Sequence, residues 1–182
     1  MPPIYTRSGD DGTTGVLGPD RLSKHHPRIE TIGTLDEASA AIGLARAMCL
    51  DPQTAELLVD VQRDLYRLMS AVSAMPGNAG PFPGLQPERL DWIETRIEAL
   101  EGQVELPREF ILPGDSPAGA ALALARTVVR RAERRVAELI DTQALAGPLH
   151  LGYLNRLSSL LFILELLENR AAGQATSLAK QG

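Results

Sequence analysis

The stretch SPAGAALALARTVVRRAERRVAELIDTQALAG, residues 116–147, decides the fold. Ser116 followed by Pro117 is an N-cap and first-turn pair: the serine hydroxyl accepts from an amide the helix leaves unpaired, and proline lacks the amide that would go unpaired there. Nothing interrupts the helical spacing before Gly147. The spacing predicts a helix of about 25 residues, ~38 Å long at ~1.5 Å per residue.

Working outward, the same signals recur. Asp51-Pro52 restarts the chain in the same way, and Leu57, Leu58, Val61, Leu65, Leu68, Met69 and Val72 keep helical spacing to about Ala74. Pro87, Leu90, Ile93, Ile97 and Leu100 mark a further helix, ended by Gly102. The last runs from near Leu149 to near Arg170. Thr34-Leu35-Asp36-Glu37 reads as a capping box opening the first, with Leu35, Ala38, Ala41, Ile42 and Ala45 on one side to about Cys49. Residues 1–33 carry Gly9, Gly12, Gly15, Gly18, Pro19 and Pro27 without periodicity and read as a loop or arm. Met75 to Gln86 reads as a loop, and the polar tail after Ala172 as frayed. The expected architecture is an all-α, five-helix up-and-down bundle related to four-helix and ferritin-like bundles.

Composition agrees. Only 4% of the residues are aromatic while 44% are hydrophobic, which disfavours an all-β fold. A chain of 182 residues buries roughly 70% of its unfolded surface in one core. A single domain over 1–182 follows, with a 1–33 loop, a 34–171 bundle and a 172–182 tail. The net charge of −5 argues against general nucleic-acid binding. Cys49 is the only cysteine, and no Cys/His cluster has zinc-ligand spacing, so a reducing compartment fits. The Met1-Pro2-Pro3-Ile4-Tyr5 start lacks the character of a targeting sequence, and the apolar run Leu160 to Leu164 is broken by Glu165. The expectation is a cytoplasmic protein outside the membrane.

Chemistry concentrates in three places. Arg126, Arg130, Arg131, Arg134 and Arg135 stand with only Glu133 among them, +4 within ten residues. Guanidinium forks one turn apart suit a polyphosphate, and a solvated basic face accounts for them too. Asn155-Arg156 sets an amide and a guanidinium among Tyr153, Leu154, Leu157, Leu160 and Leu161, as an interhelical hydrogen bond or a ligand contact. The segment Thr6 to Thr14 lacks the Walker A pattern, yet its glycines and hydroxyls, with Arg7 and Lys24, are the ingredients of an anion site as well as of ordinary turns. Asp36 fits a first-turn acid on the helix dipole or the partner of an arginine. His25-His26 lacks a third ligand and is set aside.

Taken in order, Tyr5-Thr6-Arg7-Ser8-Gly9-Asp10-Asp11-Gly12-Thr13-Thr14, Arg21-Leu22-Ser23-Lys24, Gly33-Thr34-Leu35-Asp36-Glu37, Phe110-Ile111-Leu112-Pro113-Gly114, Ala125 to Arg135 and Tyr153-Leu154-Asn155-Arg156-Leu157-Ser158 resemble the PduO-type ATP:cob(I)alamin adenosyltransferases. The resemblance spans nearly the whole chain. It implies a homotrimer with an active site at each subunit interface, where ATP, carrying Mg2+, meets a corrinoid. The N-terminal loop, here Thr6, Arg7, Ser8, Gly9, Thr14 and Lys24, would wrap the ATP, joined by Arg130, Glu133, Arg134 and Asn155. Phe110 would lie on the corrin face and displace the lower cobalt ligand, and Asp36 would pair with Arg130 across the subunit boundary.

The implied reaction is attack by the cobalt of cob(I)alamin on the 5′-carbon of ATP, giving adenosylcobalamin and triphosphate. No side-chain nucleophile or protein-held metal is required; the protein supplies orientation and charge. A cobalamin reductase and an adenosylcobalamin-dependent enzyme are the partners such an activity implies. Asp115, where a second glycine commonly follows Pro-Gly, departs from the family pattern, as do Ala38-Ser39-Ala40, Ala123 and Ser159. The competing readings are a non-catalytic corrinoid or nucleotide chaperone or sensor on the same bundle, and a structural bundle.

Overall fold

The computed structural model describes residues 4–5, 7–75 and 81–180. Part of the Met75 to Gln86 loop, the whole of Met1-Pro2-Pro3 and the last two residues of the tail therefore lie outside the described residues. The elements in chain order are β1 (Thr13–Gly15), β2 (Arg21–Ser23), α1 (Pro27–Met48), α2 (Pro52–Ser73), α3 (Pro87–Glu101), α4 (Pro117–Asp141) and α5 (Leu149–Ala171).

The fold is a five-helix bundle. Four helices begin on proline in the first turn. Asp51 accepts from the Gln53 amide at 3.0 Å and Ser116 Oγ from the Gly119 amide at 2.9 Å, caps typically worth ~1 kcal/mol each. The start of α1 departs from the expectation. The helix opens on Pro27 rather than after Thr34, with His26 as N-cap accepting from the Arg28 amide at 3.1 Å. Thr34 is buried inside α1, and its hydroxyl donates to the Glu30 carbonyl at 2.8 Å. The segment before α1 also holds a small antiparallel ladder, Thr13↔Ser23, Thr14↔Leu22 and Gly15↔Arg21, too short for alternation to announce.

α4 packs between α1 and α5, α2 lies on α1, and α3 on α5. Their apolar stripes meet in one core that includes Leu35, Ile42, Leu65, Leu122, Val129, Leu157 and Leu161. One polar group sits inside it. Asp64 of α2 is fully buried and accepts from Tyr153 Oη of α5 at 2.7 Å, from Arg89 of α3 at 2.6 and 2.9 Å, and from Arg67 at 2.5 Å. A buried carboxylate persists only when so satisfied, and here it joins three helices. Where α4 meets α5, a Cβ on Gly119 would fall 2.0 Å from Asn169 Oδ1, so that crossing is open only to glycine.

Arg28, 3% exposed, donates to the carbonyls of Val72, Ala74 and Ala144. It joins the start of α1 to the end of α2 and to the α4–α5 connection. The C-terminal segment is not frayed over its described part. It runs back along the linker before α4, with an antiparallel bridge Ile111↔Leu178. No helix of the described residues is long and apolar enough to cross a membrane.

Candidate active site

The arginine row of α4 divides in two. α1 and α4 are antiparallel, so carboxylates of α1 come abreast of it: Glu37 pairs with Arg131, and Glu30 with Arg135 at 3.6 Å, where Glu138 adds a contact at 3.2 Å. Arg130 and Arg134 are different. Both are exposed, and among the described residues neither has a carboxylate partner; Arg134 Nη1 donates only to the Arg130 carbonyl at 2.9 Å. Unbalanced guanidinium forks one turn apart on a rigid helix have the charge and geometry to receive an anion.

Asn155 of α5 closes on this face, donating from Nδ2 to Glu133 Oε1 at 2.9 Å. Its Oδ1 in turn accepts from Arg156 Nη1 at 3.1 Å. Arg156 itself is occupied with Glu94 of α3 at 3.0 Å, an interhelical pair. Arg126 lies one turn from Arg130 but is half-buried, with its guanidinium 5.9 Å from the Phe162 ring centre and its Nε without a partner.

The N-terminal residues form a second group. β1 and β2 bring Thr14 opposite Leu22, and Lys24 donates its amide to the Gly12 carbonyl at 2.9 Å. Residues 7–12 turn on Arg7 at φ 61° and Gly12 at φ 82°. A Cβ on Gly9 would lie 3.3 Å from Lys24 Nζ, so the ammonium rests over the glycine backbone. Arg21 holds the turn by donating to the Ser8 carbonyl and to Thr13 Oγ1 at 3.0 Å. Thr6 lies outside the described residues. Arg7, Thr14 and Lys24 share no hydrogen bond or ion pair with Arg130, Glu133, Arg134 or Asn155.

Asp36 is exposed in the third turn of α1, far from its N-terminus, so the helix-dipole explanation falls. Neither Asp36 nor Arg130 has an ion pair among the described residues of the chain. Phe110 is 88% exposed, an aromatic ring presented to solvent on the linker before α4.

Two carboxyls stand near this linker, Glu165, to which the sequence reading gave no site role, and Asp115, noted there as a departure from the family pattern. Glu165 is 1% exposed with neither oxygen hydrogen-bonded; burial pushes its carboxyl up to about 7, with Arg126 opposing and Asp115 adding to the shift. Its signal was its place in an apolar run. Asp115 is held below the usual carboxylate range by the Ser177 hydroxyl and amide. A cleft of about 800 Å³ lies elsewhere, between α2, α3 and the end of α5, lined by Asp51, Thr54, Trp92, Arg96, Leu164 and Arg170 among others. It holds none of the predicted site residues. Among the described residues no group of three or more His, Cys, Asp or Glu could hold a metal ion.

Residues 4–168 match the family model described as cobalamin adenosyltransferase. The chain is 38% identical over 178 residues to the corrinoid adenosyltransferase PduO of Citrobacter freundii, covering 97% of this chain and 53% of that protein. It thus spans about half the length of that relative and of its Salmonella typhimurium counterpart. Against the corrinoid adenosyltransferase of Mycobacterium tuberculosis it is 39% identical over 170 residues, 91% of this chain and 88% of that one. Among solved structures, a variant PduO-type ATP:corrinoid adenosyltransferase from Lactobacillus reuteri complexed with cobalamin and ATP superposes with a TM-score of 0.89 at 27% identity, covering 98% of this chain and 97% of that one. A second variant of that enzyme, complexed with ATP, gives 0.86 at 28% identity over 97% and 100%.

Proposed function

The chain belongs to the cobalamin adenosyltransferase family, and on that premise we propose that it transfers the 5′-deoxyadenosyl group of ATP to the cobalt of cob(I)alamin. The observation that carries this reading is the division of the α4 arginines: Arg131 and Arg135 are neutralised by α1, while Arg130 and Arg134 are left for an anion from outside. The L. reuteri relative was solved with cobalamin and ATP, which supports the same pair of substrates here.

In this reading the cobalt electron pair of cob(I)alamin forms the cobalt–carbon bond, the C5′–O5′ bond breaks, and its electron pair leaves on the triphosphate oxygen. No proton has to move. What the protein must supply is charge where charge develops, and a fixed line between cobalt and carbon. Arg130 and Arg134 would stabilise the leaving triphosphate, with Glu133 and Asn155 orienting it. Thr6, Arg7, Ser8, Gly9, Thr14 and Lys24 would close over the ATP. The Mg2+ would arrive on the phosphate oxygens as part of the substrate, since Mg2+ in nucleotide sites is held largely by substrate phosphates. Phe110 would press on the corrin face in place of the lower ligand, a role its exposed ring suits.

A homotrimer follows from the same reading. Among the described residues, no hydrogen bond or ion pair joins Arg7, Thr14 or Lys24 to Arg130, Glu133, Arg134 or Asn155, and none pairs Asp36 or Arg130 with an opposite charge. A neighbouring copy would supply Asp36 to Arg130 and complete the site. Leu44 and Met48 of α1 and Leu124 of α4 are exposed on the same two helices, apolar surface such a copy would cover. We further place the protein in the cytoplasm, served by a cobalamin reductase and serving an adenosylcobalamin-dependent enzyme.

The deciding experiment mixes the protein anaerobically with ATP and chemically reduced cobalamin. The cobalt–carbon product spectrum should appear with one triphosphate released per adenosyl group transferred. Binding of both substrates without that spectrum would leave a chaperone or sensor and refute the transferase.

A further inference from the structure

Asp115 stands immediately before the N-cap of α4, where an acid would ordinarily serve the helix end. It does not do so here: Ser116 Oγ caps the helix through the Gly119 amide. Both Asp115 oxygens go instead to the C-terminal segment, Oδ1 accepting from Ser177 Oγ at 2.7 Å and Oδ2 from the Ser177 amide at 3.0 Å. From that anchor the segment pairs with the linker. The Leu112 amide donates to the Ser177 carbonyl at 2.8 Å and the Ala179 amide to the Phe110 carbonyl at 2.7 Å, flanking the Ile111↔Leu178 bridge.

In a strand pair successive side chains alternate between faces, so the register decides what faces out. The present register turns Ile111 to one face, half-buried, and presents Phe110 and Leu112 on the other, 88% and 53% exposed. A slip by one residue would exchange them. Two exposed backbone hydrogen bonds between short segments are marginal alone, and the register is pinned at one end by the two bonds to Asp115. We propose that Asp115 is a positioning residue, which clamps the C-terminal segment through Ser177 and thereby fixes how Phe110 is presented to the corrin. The inference rests on the role given to Phe110 above.

The test combines amide exchange with kinetics in the full chain. In Asp115→Gly the Leu112 and Ala179 amides should exchange roughly tenfold faster, as expected on losing two hydrogen bonds. Ser177→Ala, which keeps its amide bond to Oδ2, should show a smaller increase, and Ser177→Thr should keep the slow exchange of the parent. Turnover starting from cob(II)alamin with a mild reductant should fall several-fold more in Asp115→Gly than turnover from pre-reduced cob(I)alamin, in the direction given by Phe110→Ala, while Ser177→Thr keeps the parent ratio. Unchanged exchange in Asp115→Gly would overturn the clamp. Faster exchange with an unmoved cobalt-state ratio, where Phe110→Ala does move it, would overturn the positioning role alone. A Phe110→Ala variant that leaves the ratio unmoved would refute the reading of Phe110 and the positioning role with it.

Discussion

Arg131 and Arg134 lie three residues apart on α4, and replacing each by alanine should have opposite consequences. Arg131 pairs with Glu37, and both side chains are about half exposed, at 45% and 56%. Ion pairs of that kind contribute ~0–1 kcal/mol. The charge removed from Arg131 is already matched inside the chain, so Arg131→Ala should lower kcat/KM for ATP by no more than about fivefold. Arg134 has no carboxylate among the described residues and donates only to the Arg130 carbonyl. If it meets the leaving triphosphate, its loss removes a charged donor from the transition state, typically ~2–4 kcal/mol, or about 30- to 1,000-fold at ~1.36 kcal/mol per decade. Arg134→Lys should fall between, keeping the charge and losing the two-pronged geometry. The assay is anaerobic turnover with pre-reduced cobalamin over a range of ATP concentrations, which isolates the transfer step from cobalt reduction. Equal losses in Arg131→Ala and Arg134→Ala would show that the division of the row into matched and unmatched arginines has no bearing on catalysis.

Three further outcomes are expected. Light scattering should find three chains per particle; Asp36→Arg or Arg130→Asp alone should weaken that assembly, and the two together should restore it, whereas additive damage would exclude the pair. Glu165, with its carboxyl raised to about 7 from an ordinary 4.5, keeps in the folded state a proton that the unfolded chain has released. Stability should be whole below about pH 4.5, fall as pH rises to about 7 and level off above, by about 3 kcal/mol in all. Glu165→Gln should flatten that slope in urea titrations at pH 5 and 8, and matching slopes would refute the assignment. Tyr153→Phe removes the 2.7 Å bond to buried Asp64 and should lower unfolding free energy by ~1.5–3 kcal/mol; an unchanged urea midpoint would mean that Arg89 and Arg67 alone satisfy the carboxylate.

What was legible in the sequence was local. Asp51-Pro52, Pro87 and Ser116-Pro117 announced α2, α3 and α4 because a cap and a first-turn proline are read within a few residues. α1 was entered about two turns too late, since Thr34 and Glu37 carry the spacing of a capping box inside a helix that His26 and Pro27 had already begun. The docked tail was illegible for the opposite reason: its anchor, Asp115, is 62 residues from Ser177 along the chain, and composition alone cannot report such a tether. The arginine row was visible, but which arginines were free was not, because the neutralising carboxylates belong to α1. Asp64 left one trace, an acid on the apolar side of α2 between Val61 and Leu65.

The Arg28 side chain sets a condition on the loop that precedes it. It is buried against three carbonyls and no carboxylate, and burial lowers its affinity for a proton. A lysine there would shed its proton at modest cost and come loose; a guanidinium stays charged at any pH a cell reaches. The negative ends of two helix dipoles, at the end of α2 and beyond the end of α4, take the place of a counter-ion. The chain from Arg7 to Lys24 therefore leads into a fixed point only a few residues downstream, and under the proposed function its approach to a nucleotide would be set from an anchor insensitive to acidity.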